Sequence, residues 1–186
     1  MTKPFRPLLA VMSSVLALLM HTPASAALNA GEAAPPFITE AALAGVPFSF
    51  DLAQALQQGP VVLYFYPAAF TQGCTIEAQA FAEAIEDFKA LNTTVVGVSG
   101  DDIETLKKFS LAACASKFAV AADGDHRIMQ AYDAALASRP GMAERISYVI
   151  SPDGKVVYTL GGVRPHEHVT NTLEAVRRWQ ATQPLK

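Results

Sequence analysis

Six consecutive residues, Val61 to Tyr66 (VVLYFY), carry only apolar or aromatic side chains, with Gly59-Pro60 before them and Pro67 after. Side chains on a strand point alternately to its two faces, so a run with no polar position must be buried on both. A strand of this kind sits in the middle of a sheet covered by helices on either side, which commits the chain to an α/β architecture. The next segment agrees. From Thr71 to Leu91 the apolar residues Phe81, Ala84, Ile85, Phe88 and Leu91 fall at i, i+3, i+4, i+7 and i+10, one stripe of a helix facing a sheet. Val95 to Ser99 (VVGVS) then supplies a second buried strand.

The remaining segments complete a mixed sheet. Residues 27 to 47 are rich in Ala, Gly and Pro, carry a short extended Phe37-Ile38-Thr39, and resemble an edge hairpin with Val46 to Phe50, which alternates with period two. Asp51 caps a short helix to about Gln58, and Asp101 or Asp102 caps another through about Ala113. Phe118 to Ala122 reads as a short strand and Asp123 to Ala134 as a helix. Arg145 to Ser151 and Lys155 to Leu160 read as strands of a hairpin around Pro152-Asp153-Gly154, and His166 to about Thr182 closes the chain as a helix. Parallel strands joined by right-handed crossovers, then an antiparallel hairpin and a last helix, give a thioredoxin-like order.

The first 26 residues read as a secretory signal outside this single domain of residues 27–186. Lys3 and Arg6 precede the 13-residue apolar run Leu8 to Met20, and Ala24-Ser25-Ala26 offers a small-x-small cleavage site. The run is too short to span a bilayer, which takes about 20 residues. An uncleaved anchor is the other reading. Cleavage would leave 160 of the 186 residues, exported, with a periplasmic destination expected and no membrane span. The formal net charge of -3 and the absence of any basic run longer than Arg177-Arg178 set nucleic acid aside as a partner. Two cysteines are too few for a disulfide scaffold or a four-cysteine zinc site.

Cys74 is the residue that points to chemistry. With Thr71 as N-cap, its hydroxyl placed to accept orphan first-turn N–H groups, Cys74 takes the third position of the helix. The unpaired N–H groups and the positive helix end there favour the thiolate, the nucleophilic form. A buried, inert cysteine is the alternative. The loop after a central parallel strand, however, is where α/β folds place ligand chemistry.

Pro67-Ala68-Ala69-Phe70-Thr71-Gln72-Gly73-Cys74 resembles the peroxiredoxin signature of Pro, three residues, Thr or Ser, two residues, Cys. The segments VVLYFYP, GCTIEAQAF, VVGVSGDD, AVAADGD and ERISYVISPDGKVVY, spread over residues 61 to 158, are similar to the bacterioferritin comigratory or Q-type branch of that family. The resemblance implies a thioredoxin-like fold of the peroxiredoxin type and a thiol-dependent peroxidase acting on hydrogen peroxide and organic hydroperoxides. Cys74 would attack the O–O bond and become a sulfenic acid. Thr71 would steady the thiolate and accept a hydrogen bond from the peroxide, Pro67 would help close the pocket, and Arg145 would stabilise the developing charge. Glu77 matches the branch as a support for an arginine, with a solvated first-turn glutamate as the other reading. The implied partners are a peroxide and a thioredoxin-like or other thiol reductant; no cofactor or metal is expected, and the chain is expected to be a monomer or weak dimer.

The chain departs from the branch at the resolving step. Many members place a second cysteine five residues after the first, where this chain has Gln79. The other thiol, Cys114, lies near the end of the next helix, and some members of the branch resolve through a cysteine there. An exported chain with two thiols tends to pair them, which makes Cys114 the expected resolving residue. A Cys114 without redox role, with an external thiol instead, stays open. A thiol-disulfide oxidoreductase would want Cys-x-x-Cys, but Glu77 holds the second place, and Ala78 opposes a Cys-x-x-x-Cys metal-binding module. His166-Glu167-His168 reads as a solvated helix start. The leader reading predicts that the exported protein begins at Ala27. Mass spectrometry of the exported fraction checks this, and an intact Met1 there would contradict it.

Overall fold

The computed structural model describes residues 27–162 and 164–183. The expected signal segment lies outside the described residues. Seven strands form one sheet in the order β2-β1-β5-β4-β3-β6-β7. The strands are β1 Ile38–Leu43, β2 Val46–Asp51, β3 Val61–Phe65, β4 Thr94–Ser99, β5 Ala119–Ala122, β6 Ile146–Ile150 and β7 Val156–Gly161. The helices are α1 Leu52–Leu56, α2 Gln72–Ala90, α3 Ile103–Ala112, α4 Arg127–Ala131 and α5 Pro165–Ala181. β3, β4 and β5 run parallel, and β6 lies antiparallel against β3.

β3 is the centre of the sheet and every one of its residues is buried. Val62 and Tyr64 face a core shared with α2, α3 and α5, while Val61, Leu63 and Phe65 face a second core with α1 and α4. That two-sided burial is why the segment has no polar position. Within the first core the Tyr64 ring stacks on Phe81 of α2 at 4.5 Å between centroids. Beneath the Tyr64 ring lies Gly97 of β4, where an added Cβ would stand 2.6 Å from the ring's Cζ.

Several boundaries differ from the sequence expectation for definite reasons. The N-terminal hairpin pairs β1 with β2 over six positions and turns through Ala44 and Gly45, both in the left-handed region (φ 51° and 77°), the combination a tight hairpin turn requires. Alternation along Val46 to Phe50 does not produce alternating burial. β2 is the sheet's edge strand and only Phe50 is buried there, while Phe48 stays exposed. The helix expected over Asp123 to Ala134 shrinks to the five residues of α4. His126, the residue before α4, adopts φ 62° and so delays the helix start to Arg127, and the Asp123 carboxylate reaches across to accept from the N–H groups of Ile128 and Met129.

Replacing Gly97 by alanine forces a methyl into the Tyr64 ring. Overpacking of this kind costs about 1–3 kcal/mol. A lowered Tm for Gly97→Ala is therefore expected in thermal denaturation, partly restored by Tyr64→Phe, which removes the hydroxyl also within 2.7 Å of that Cβ position.

Candidate active site

The site is assembled where β3, α2 and the start of β6 meet. β3 ends at Phe65, and Pro67 to Thr71 form the loop that leads into α2. Asp101, just beyond β4, pins that loop by accepting from the Ala69 N–H at 2.7 Å and from the Ser99 hydroxyl at 2.7 Å. Phe70 takes a left-handed conformation (φ 61°), unusual for a residue with a side chain, and its ring sits edge-on to Phe109 of α3 at 5.2 Å. The loop is thus held at both its middle and its end.

Cys74 occupies the third position of α2 and is buried. The first intrahelical bond of α2 runs from the Thr75 N–H to the Thr71 carbonyl, so the N–H groups of residues 72 to 74 have no acceptor within the helix. Thr71 is the N-cap residue, as the sequence implies, but its side chain caps nothing. Its hydroxyl donates to the Ala68 carbonyl at 3.0 Å instead of accepting from the helix. With its proton engaged, Oγ1 presents lone pairs, which suits it to accept a hydrogen bond and not to donate one to sulfur.

Arg145, immediately before β6, brings the cation. One guanidinium nitrogen, Nη2, lies 3.5 Å from Cys74 Sγ, and the other, Nη1, donates to Glu77 Oε2. Gly73 makes this approach possible, since a Cβ at that position would stand 3.2 Å from Nη2. Glu77 is fully buried, so the solvated reading of this residue is excluded. Burial pushes its carboxyl up to about 8, against the opposing pull of Arg145. Pro67 and Arg145 line one open cleft of about 280 Å³ with Leu136, Ala143, Glu144 and Gly162. Two wider clefts, one beside β1 and α4 and one beside the β6–β7 turn, are lined by none of Pro67, Thr71, Cys74, Glu77 and Arg145.

Three polar residues of this region were not legible in the sequence as site residues. Asp101 has no local pattern marking it as a loop anchor. His168 is not at a solvated helix start: it is buried, its Nδ1 2.8 Å from the Ser147 hydroxyl and its Nε2 3.0 Å from the Gly162 carbonyl. The helix faces explain it, since His166 and His168 point to different sides and only the second is inward.

Cys114 lies two residues beyond the end of α3 and is fully buried. Both thiols are free. Burial pushes the Cys114 thiol up to about 12, so its thiolate is scarce in this conformation. The segment from 110 to 117 is better anchored than its alanine-rich composition suggests. The Ser110 hydroxyl accepts from the Gly45 N–H at 2.9 Å, and Lys117 Nζ donates to the Ala82 carbonyl of α2 at 2.9 Å. Its strained part is Ala115 and Ser116, both left-handed at φ 48° and 61°.

With this geometry in place, the sequence matches the AhpC/TSA family over residues 30–159, more than half of the chain. The chain belongs to the AhpC/TSA family. It is 32% identical over 119 residues to a chloroplastic peroxiredoxin Q of Oryza sativa, covering 63% of this chain and 54% of that protein. It is 31% identical over 122 residues to peroxiredoxin Bcp of Bacillus subtilis, covering 63% and 77%. The match thus spans about half the length of the chloroplastic relatives. Among solved structures it is similar to peroxidoxin BcpB from Mycobacterium tuberculosis, with a TM-score of 0.74, 25% identity, and 83% of this chain and 98% of that one covered. It is also similar to Xanthomonas campestris peroxiredoxin Q, with a TM-score of 0.65, 27% identity, and 75% and 89% covered. The resemblance read from residues 61 to 158 thus agrees with family, relatives and fold.

The raised Glu77 carboxyl has a consequence for stability. A group that binds its proton more tightly folded than unfolded contributes stability below its unfolded value, 4.5, and loses it as the pH rises through about 8. Denaturation of the wild type should show this loss between those pH values, and Glu77→Gln should flatten it. An unchanged slope in the variant would assign the pH dependence to other groups.

Proposed function

We propose that the chain is a thiol-dependent peroxidase, and the observation that carries this is the Arg145 guanidinium 3.5 Å from Cys74 Sγ at the first turn of α2. The Cys74 thiolate attacks one oxygen of a hydroperoxide; an S–O bond forms as the O–O bond breaks. The other oxygen leaves with the electron pair, takes a proton and departs as water or alcohol, and the sulfur is left as sulfenic acid. Arg145 stabilises negative charge as it passes from sulfur to the leaving oxygen. Thr71 Oγ1 accepts from the peroxide hydroxyl, and Pro67, with no N–H of its own, forms the apolar side of the cleft. The cleft of about 280 Å³ opens beside Pro67 and Arg145, while Cys74 itself is buried and does not line it, so a hydroperoxide approaches the sulfur from the Arg145 side.

Two electrons from an external thiol, of the thioredoxin-like class, restore the enzyme. Cys114 is the proposed route: its thiol condenses with the Cys74 sulfenic acid, expelling water and forming a disulfide that the reductant opens. Both thiols being buried and free, this step needs the segment after α3 to open locally. Exported, periplasmic service as a monomer or weak dimer completes the reading, supported by the leader-like composition of residues 1–26.

Purified protein with a thiol reductant should consume peroxide, and Cys74→Ser should abolish it. Arg145→Ala should lower the second-order rate by about 10²–10³, the usual cost of losing one charge-stabilising donor. Cys114→Ser should keep its first turnover and lose thioredoxin-driven cycling. Absence of peroxide consumption with every reductant would reject the enzyme, and normal cycling of Cys114→Ser would assign resolution to an outside thiol.

A further inference from the structure

Behind the sulfur and its arginine lies a second layer of polar groups that the proposed chemistry leaves unused. Glu77 gives one oxygen, Oε2, to Arg145, but the other, Oε1, is buried without a hydrogen-bond partner. An ionised carboxylate in that position is costly, and a full hydrogen-bond complement would be the rule. A titratable group facing it is His168 of α5, whose Nδ1 lies 3.9 Å from Oε1.

The hydrogen bonds around His168 restrict where its protons sit. The Gly162 carbonyl can only accept, so Nε2 carries a hydrogen. Nδ1 then has a choice. It accepts from the Ser147 hydroxyl in a neutral ring, or carries a second hydrogen in a charged one. In the first case Oε1 needs a proton of its own. In the second the charged ring compensates the carboxylate electrostatically. Either way one proton beyond those of an ionised Glu77 and a neutral ring makes the pair neutral overall, and it has two seats 3.9 Å apart.

We propose that Glu77 and His168 hold one shared buried proton, and that its presence decides how much of the Arg145 charge is directed at the Cys74 sulfur. This deepens the peroxidase reading and rests on it for its functional meaning. With the proton in place the pair is neutral overall and the guanidinium charge is uncompensated except by the sulfur 3.5 Å away. When the proton leaves to solvent, the Glu77 carboxylate neutralises the same guanidinium from the opposite side. His168 and Ser147 act here as positioning residues, through Glu77 and Arg145.

The surroundings are consistent with this. The charged and titratable groups facing Glu77 are Arg145 at the start of β6, His168 on α5, Cys74 on its own helix and Tyr64 on β3. His168 faces Arg145 and Glu77, and feels Glu167 on its own helix. Burial raises Glu77 toward protonation and lowers His168 toward the neutral ring, the latter reinforced by Arg145, so the carboxyl is the preferred seat. The backbone closes the frame, since the Gly162 N–H donates to the Arg145 carbonyl at 3.1 Å while its carbonyl receives His168.

The test follows the two side chains on the reduced protein without peroxide. Infrared spectroscopy with labelled glutamate reads the protonated carboxyl of Glu77, identified by its loss in Glu77→Gln, and nitrogen NMR reads the His168 ring. A shared proton makes both signals titrate with one midpoint, near pH 8. His168→Gln, which can still bridge Ser147 and Gly162, should shift the Glu77 midpoint downward because one seat is lost, and Glu77→Gln should leave His168 neutral throughout. Separate midpoints that ignore the partner's substitution, or a Glu77 already ionised at pH 5, would overturn the proposal. If a variant fails to fold, coincidence of the two wild-type midpoints decides alone. A common midpoint in a protein that consumes no peroxide would refute the enzyme and leave the shared proton standing.

Discussion

The guanidinium of Arg145 joins the parts of this protein that no covalent or ladder contact joins. It enters from β6, touches the sulfur at the start of α2 and grips a carboxylate one turn further along the same helix. Breaking one side of a buried ion pair strands the other charge, which is why such a contact holds its elements in register more firmly than its net energy suggests. The rest of the local architecture is arranged to allow it. Gly73 leaves the space, β3 delivers the loop, and α5 covers the back of the carboxylate. The Cys74 sulfur and the guanidinium beside it are thereby fixed by separate segments about seventy residues apart.

The legible features were the local ones. Val61 to Tyr66 declares a doubly buried strand because burial on both faces is written residue by residue, and Cys74 declares itself because a helix start follows directly. Asp101, Ser147 and His168 could not be read this way, since each acquires its role from a partner distant in sequence: Asp101 from Ala69, 32 residues away, and His168 from Ser147, 21 residues away on a strand it packs against. Thr71 shows a finer limit. Its cap position was readable, yet the direction of its hydroxyl depends on the loop's curvature, which turns the Ala68 carbonyl toward it. The Asp123 to Ala134 segment failed for a similar reason, because a carboxylate that reaches five residues ahead replaces a helical turn by a loop.

Arg145 and Glu77 stand between these cases. Nothing in a strand-end arginine or a glutamate in the second turn of a helix distinguishes it from a surface charge; only the resemblance to a known family singled them out. The structure supplies the physical reason the resemblance could not give: the glutamate is buried and the arginine is nearly so, with 10% of its side chain exposed, so neither can be a solvated charge.

The two ends of α3 are built differently. At its start the Asp102 carboxylate accepts from the Thr105 N–H at 2.8 Å, and the neighbouring Asp101 clamps the nucleophile's loop. At its far end the chain passes through two left-handed residues without a glycine, Ala115 and Ser116, straight after Cys114. Helix ends are the first parts to open, and strain lowers the work of opening one of them. α3 is therefore held unequally: its Asp102 end is capped and stands beside the clamped loop, while its Cys114 end runs into strained backbone. The two sulfurs thus sit on backbone of opposite character, one behind a clamped loop and the other beside strain.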